Sequence, residues 1–281
     1  MPTRRQFLQW AGAGAAASLA TKNGFAAKNT EKSDNKNTEQ TFRLGLASYT
    51  TRKLSLDETL KIANRLGLRY LCLKDFHLPL DGTPEQIAQV AAKVKAAGID
   101  LYGCGVVNMF KPAEVEQTFD YAKAAGMRVI VGVPAYDLLP MVNEKIKQYN
   151  ICVAIHNHGP GDKLYPTPEV AYKKIKRFDR RFGLCIDIGH TVRIGVDPAR
   201  AAEKFADRLL DVHIKDVTAA TAAGRCVEAG RGVIDLPKFL RTLVKIRYPG
   251  IVSFEYEKDG DDPLPVLAES VGYVRGVLAA I

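Results

Sequence analysis

Five histidines and a small set of carboxylates are the chemically capable groups in this chain of 281 residues. In Gly183-Leu184-Cys185-Ile186-Asp187-Ile188-Gly189-His190 an apolar run ends abruptly in Asp187, and His190 follows three residues later. An apolar run of that length suits a strand buried on both faces, and a carboxylate with an imidazole at its end is costly to bury without a metal or substrate as partner. One Asp-x-x-His taken alone also describes an Asp capping the next turn beside a surface His. The pattern recurs, however: His77, His156 with His158, and His213 each fall at or just past the end of another apolar run, and Glu255 and Glu257 close the last. Alternation along a strand puts His156 and His158 on one side, His213 and Lys215 on one side, and Ser253, Glu255 and Glu257 on one side. A layer of His156, Asp187, His213 and Glu255 has the mixed imidazole and carboxylate character of a divalent-metal site. Two nitrogens and two carboxylates suit Mn, Co, Fe or Zn better than an all-oxygen Mg cage.

These groups need a frame that brings strand ends together. From Phe42 onward, short apolar strands alternate with amphipathic helical stretches. Strands are predicted at 42–47, 69–73, 99–107, 127–133, 151–155, 182–188, 209–214 and 251–256. The intervening helices start at prolines such as Pro84 and Pro112 and stop at glycines such as Gly98 and Gly126. Eight β-α units in about 240 residues match the roughly 250 typical of a (β/α)8 TIM barrel, whose active sites collect at the carboxyl ends of the strands. The expected fold is therefore an α/β, single-domain (β/α)8 TIM barrel over 42–281. No Gly-x-Gly-x-x-Gly follows the first strand, which argues against an open dinucleotide-binding sheet. Gly230-Arg231-Gly232 is a weak phosphate signal.

The amino terminus has a different character. Arg4, Arg5, Phe7 and Leu8 precede a short Ala/Gly-rich apolar stretch, the pattern of a twin-arginine export signal over 1–26. A polar tether at 27–41, expected to be disordered, follows. The expected destination is the periplasm, without a stable membrane anchor. The formal net charge is +9. Residues 1–41 hold six Lys/Arg and three Asp/Glu, so 34 basic against 28 acidic residues leave the rest at +6, too weak a bias for a nucleic-acid partner. Five cysteines without paired spacing form no disulfide framework; Cys72, Cys104, Cys152 and Cys185 read as buried thiols.

Several segments resemble the sugar isomerase/epimerase superfamily with the xylose-isomerase-like barrel, which includes tagatose/psicose 3-epimerases, inosose dehydratase and endonuclease IV. They are Ala154-Ile155-His156-Asn157-His158, Cys185 to His190, Val212-His213-Ile214-Lys215-Asp216, Gly230 to Asp235 and Ser253-Phe254-Glu255. The resemblance implies one divalent ion, Mn, Co or Zn before Mg, with Asp187, His213 and Glu255 at three of the family's four ligand positions. Where the family's first ligand is a Glu, this chain has His156. It also implies proton abstraction beside a carbonyl with a metal-stabilised enediolate, Glu255 acting as one base and His156, His158 or His190 as the second. Elimination or hydration of keto-sugars or 3-keto-glycosides can use the same site. Lys215, Arg231, Lys74, His77 and Arg193 are candidate substrate contacts, Asp216 a supporting one, and Tyr49, Asn108 and Tyr136 candidate pocket walls. The expected partner is a small sugar or keto-sugar, with a homo-oligomer open. A non-catalytic sugar-binding barrel is a rival. So is an endonuclease, though residues 217–232 hold no His or Asp for its extra metals.

Overall fold

The computed structural model describes residues 41–281. The export signal (1–26) and the tether (27–41) expected from the sequence lie outside the described residues, apart from Thr41. Eight parallel strands close into a barrel: β1 (Arg43–Ala47), β2 (Tyr70–Leu73), β3 (Asp100–Met109), β4 (Val129–Pro134), β5 (Cys152–His156), β6 (Phe182–Asp187), β7 (Leu209–Ile214) and, after a two-strand hairpin, β10 (Ile251–Phe254), which pairs with β1. The hairpin β8 (Asp216–Val217) and β9 (Cys226–Val227) is antiparallel and stands in the stretch expected to be a plain loop. The helices are α1 (Leu56–Arg65), α2 (Pro84–Ala96), α3 (Pro112–Ala124), α4 (Leu139–Tyr149), α5 (Pro168–Ile175), α6 (Ile188–Arg193), α7 (Pro198–Lys204), α8 (Leu236–Lys245) and α9 (Leu264–Ala279). Among the described residues no helix is long and apolar enough to cross a membrane.

Local chemistry sets these boundaries. At α2, the Thr83 hydroxyl accepts from the Gln86 N–H and the Gln86 side chain accepts from the Thr83 N–H, with Pro84 supplying a helical φ at the first position. Gly98, at φ +72°, turns the chain out of the same helix. The sequence extended the sixth strand to Ile188. Instead it stops at Asp187, because that side chain accepts the His190 N–H (2.8 Å) and starts α6 at once.

Two apolar layers hold the barrel. The larger lies between strands and helices, where α8 turns Leu236, Phe239, Leu240, Leu243 and Val244 inward. The smaller, Cys72, Tyr102, Val131, Ala154 and Cys185, fills the barrel's interior. The cysteines are free; Cys152 and Cys226 are only partly buried. On β2, β5 and β6 the residues two positions further along, Lys74, His156 and Asp187, rise to the mouth. Register brings His156 beside Cys185 and Asp187 beside His213 on adjacent strands, and Ser253 beside His213.

The interior layer also contains Asp211, fully buried with neither oxygen hydrogen-bonded. Burial pushes its carboxyl up to about 7. At the edge of the mouth Asp216 does the opposite job. It is fully buried, and its oxygens accept from the N–H groups of Val217 (2.8 Å), Gly230 (3.0 Å), Gly232 (2.9 Å) and Ile234 (3.1 Å). A Cβ on Gly232 would collide with that carboxylate. The glycines of Gly230-Arg231-Gly232 therefore wrap backbone donors around a resident carboxylate, and Asp235 then caps α8 by accepting from Lys238 N (2.9 Å).

Two stability measurements follow. Asp216→Ala leaves several buried N–H groups without an acceptor and should cost roughly 3 kcal/mol or more, read from urea midpoints; a change below about 0.5 kcal/mol would contradict the cage. For Asp211 the folded pKa lies above the unfolded value, so the protonated form is favoured by folding. Stability is fully present below about pH 4 and is lost as pH rises through about 7, by up to about 4 kcal/mol. Asp211→Asn should therefore gain on the unmodified protein much more at pH 8 than at pH 4, and an equal difference at both pH values would reject this account.

Candidate metal centre and substrate pocket

Four strand ends supply the mouth of the barrel. His156 ends β5, Asp187 ends β6, His213 lies within β7, and Glu255 follows β10. All four are buried, and one nitrogen or oxygen of each lies within 4.8 Å of the others. His156 Nε2 is 3.5 Å from Asp187 Oδ2 and 3.9 Å from Glu255 Oε2, while His213 Nδ1 is 3.2 Å from Glu255 Oε2. None of these three contacts is aligned as a hydrogen bond. Both nitrogens of His156, both of His213 and Oδ2 of Asp187 are buried without a hydrogen-bonded partner among the described residues. Asp187 thus divides its labour: Oδ1 caps α6, and Oδ2 faces the cluster. Buried polar groups are seldom left so, and this donor set matches a borderline divalent ion.

Lys215 lies in the same cluster. Its ammonium is 2.8 Å from Asp187 Oδ2, without hydrogen-bond alignment, donates to Glu255 Oε2 at 2.7 Å, and also bonds Glu257 Oε1. The Lys215 stem passes directly over Gly189, where a Cβ would strike it, which is why the α6 turn carries glycine there. Three carboxylates against one ammonium leave the cluster short of positive charge beside the neutral His156 imidazole, a setting that suits a cation. Burial works against every charge here. Even so, the neighbouring carboxylates hold Lys215 well above its usual range, and His213 and Lys215 hold Glu255 well below its own. Asp187 stays ionised, held down by Lys215 and His190 against the effect of burial. Burial presses His156 down to about 3, so one ring nitrogen keeps a free lone pair at any physiological pH. For His213 burial also favours the neutral form, but the Glu255 carboxylate raises it on balance.

Above this layer a cavity of about 270 Å³ opens, walled by Tyr49, Lys74, Val106, Asn108, His156, His158, His190, Glu255 and Glu257. His158 Nδ1 is 3.2 Å from Asp162 Oδ2, and burial keeps its pKa low. His190 Nε2 is 3.6 Å from Glu257 Oε1. The rings of His156 and His158 are 4.5 Å apart, and His190 lies 5.8 Å from each. Lys74 reaches the cavity while donating to Val106 O.

The structure gathers four of the five histidines and sets His77 apart. Its Nε2 lies 2.9 Å from Leu54 O and 3.3 Å from Thr59 Oγ1, which ties it to α1 instead of the mouth. Arg231, expected at the substrate, pairs with Glu269 on α9 and is exposed. Tyr136 donates to Leu164 O and stacks near Lys174 outside the cavity. Arg193 does reach the site region: Nη1 is 3.4 Å from His190 Nδ1 and Nη2 donates to Ala222 O at 2.9 Å. Sequence reading missed the depth of Lys215 and the role of Glu257 as its third carboxylate. The shared strand side of Ser253, Glu255 and Glu257 was the signal that pointed there. It also missed Arg225, which the hairpin brings to the site.

Residues 84–277 match the xylose isomerase-like TIM barrel family. Residues 1–21 match the twin-arginine translocation pathway signal, which directs the chain to export. The rhizopine catabolism protein MocC of Rhizobium meliloti is 26% identical over 145 residues, and the match spans 46% of this chain and 44% of that protein. Among solved structures, L-ribulose 3-epimerase superposes with a TM-score of 0.70 at 17% identity, over 85% of this chain and 95% of that one. The IolI protein with a bound zinc atom superposes with a TM-score of 0.68 at 18% identity, over 85% and 97%. Likenesses at these identities establish the fold. The match over 84–277, through the closed barrel and its β5 to β10 strand ends, shows that this exported chain belongs to the xylose isomerase-like TIM barrel family.

Proposed function

We propose that the chain is an exported, divalent-metal-dependent sugar isomerase or epimerase that removes a proton from the carbon beside a carbonyl. The observation that carries this reading is the buried set His156, Asp187, His213 and Glu255, whose unpartnered lone pairs converge beneath the 270 Å³ cavity. The names of the relatives, a 3-epimerase and a zinc-bound barrel protein, support the same class. Polarisation of the substrate's carbonyl oxygen is the chemistry a divalent ion would supply there.

The chain's own residues do the rest. Lys215 keeps Glu255 ionised, so that carboxylate is available as a base at neutral pH. His158 and His190 stand on the cavity wall with their rings 5.8 Å apart. His158, kept neutral by burial, can accept a proton, and its partner Asp162 orients the ring. Lys74, Tyr49 and Asn108 offer polar groups that can fix sugar hydroxyls. A second reading, elimination or hydration of a keto-sugar or 3-keto-glycoside, is favoured by one observation. His156 stands where the family's first carboxylate acts as half of an acid/base pair, and its lone pairs are held for binding.

The test is proton NMR in deuterated water with ketoses and 3-keto-glycosides. Loss of the signal beside the carbonyl is expected in at least one substrate, slowed at least about 100-fold by Glu255→Gln. A new epimer signal marks the first reading and an unsaturated product the second. A metal-loaded protein that exchanges no proton in any of them would refute both. Equilibrium dialysis addresses the ion separately. One ion per chain is expected, bound at least about tenfold more weakly by Asp187→Asn. Lys215→Met should bind it more tightly, since ammonium and ion draw on the same oxygens; equal affinity in all three proteins would place the ion elsewhere.

A further inference from the structure

A second, larger cavity of about 670 Å³ adjoins the first, and the two share His190 and Glu257 in their walls. The smaller is below, and the larger within, the range that holds a drug-sized ligand. The larger one is walled on one side by α6 and on the other by the β8–β9 hairpin. Its charged groups can be sorted by what already holds them. Lys215 is committed to Asp187, Glu255 and Glu257. Lys258 has Glu228 at 3.5 Å and Asp259 at 3.4 Å, and Glu257 has Lys215 and His190. Two guanidinium groups remain. Among the described residues Arg193 makes no ion pair and its Nε is buried with no hydrogen-bonded partner, although its Nη atoms reach His190 Nδ1 and Ala222 O. Arg225 is exposed at the end of the hairpin loop; its backbone N–H donates to Thr218 Oγ1 at 3.0 Å, and its side chain has no partner among the described residues.

Guanidinium groups without a carboxylate partner facing one cavity are the standard chemistry for gripping a planar or tetrahedral anion. We propose that the larger cavity is a subsite for the second unit of a glycoside-sized substrate, and that this unit bears an anionic group, a carboxylate or a phosphate, taken by Arg193 and Arg225. The inference rests on the reading above, in which the reacting sugar ring occupies the smaller cavity over His156 and Glu255. A substrate spanning both cavities passes over His190 and Glu257, which meet in the shared wall, and this places its inter-unit bond beside both groups. Arg193 also donates to Ala222 O, so the side chain that would hold the anion also pins the loop roofing the subsite.

The experiment is isothermal titration of the full-length protein with three disaccharides of one linkage, whose second ring is glucose, glucuronate or glucose 6-phosphate. At low ionic strength at least one anionic disaccharide should bind at least about tenfold more tightly than the neutral one, with the advantage shrinking as salt is added. The ratio should fall towards one in Arg193→Gln and in Arg225→Gln. The second variant breaks no side-chain hydrogen bond or ion pair among the described residues, which guards against a folding artefact. Preference for glucuronate alone identifies an acidic sugar, and for phosphate alone a phosphorylated one. Equal affinities, an advantage that survives both substitutions, or no binding of any disaccharide would overturn the proposal. Deuterium exchange of a neutral keto-sugar separates the two ideas. Exchange without anionic preference removes only the subsite, and anionic preference without exchange in any substrate removes the enolisation chemistry.

Discussion

Everything at the mouth of this barrel depends on Lys215, a buried ammonium on which three carboxylates converge. Asp187 and Glu255, buried, and Glu257, half-buried, come from two different strand ends, and gathering them would be prohibitive without a counter-charge. Lys215 reaches them from β7's end only because Gly189 leaves room for its stem. One ammonium does not balance three carboxylates. The residual negative charge sits against four imidazole nitrogens with no partners. Stability alone explains neither feature, and both fit the proposed cation site.

The frame was largely legible in the chain itself. Strand length, the prolines that open helices and the glycines that close them gave eight units, and the barrel requires their carboxyl ends to meet. Asp187, His156, His213 and Glu255 could be brought together from that alone, since a parallel barrel converts position at a strand end into proximity. The two meanings of Asp187, cap and ligand, looked like alternatives in the sequence. One oxygen of that carboxylate caps α6 and the other faces the cluster.

What the chain did not disclose depends on where side chains turn after the strand ends. His77 follows β2 as His190 follows β6, yet the turn beyond β2 hands it to Leu54 O and Thr59 instead of the mouth. Arg231 lies between two glycines that looked like an anion loop, but those glycines serve Asp216, and the arginine swings out to Glu269. Arg225 had no pattern around it at all; only the pairing of β8 with β9 carries it to the cavity wall. Periodicity governs strands and helices, whereas these placements are governed by hydrogen bonds between residues far apart in sequence.

The short helix α6 carries a consequence for how this scaffold can vary. Its first turn is capped by the oxygen partner of the one that faces the cluster, its second residue is the glycine that admits Lys215, its third is His190 and its last is Arg193. A single short segment therefore sets the cluster-facing carboxylate, the counter-charge, a cavity-wall imidazole and a guanidinium. Lengthening or shortening it would shift all four together. The loop between β8 and β9, anchored at its base by the Asp216 cage, is under no such restriction. New substrate preferences in this architecture should arise by remodelling that loop, while the spacing from Asp187 to Arg193 stays fixed.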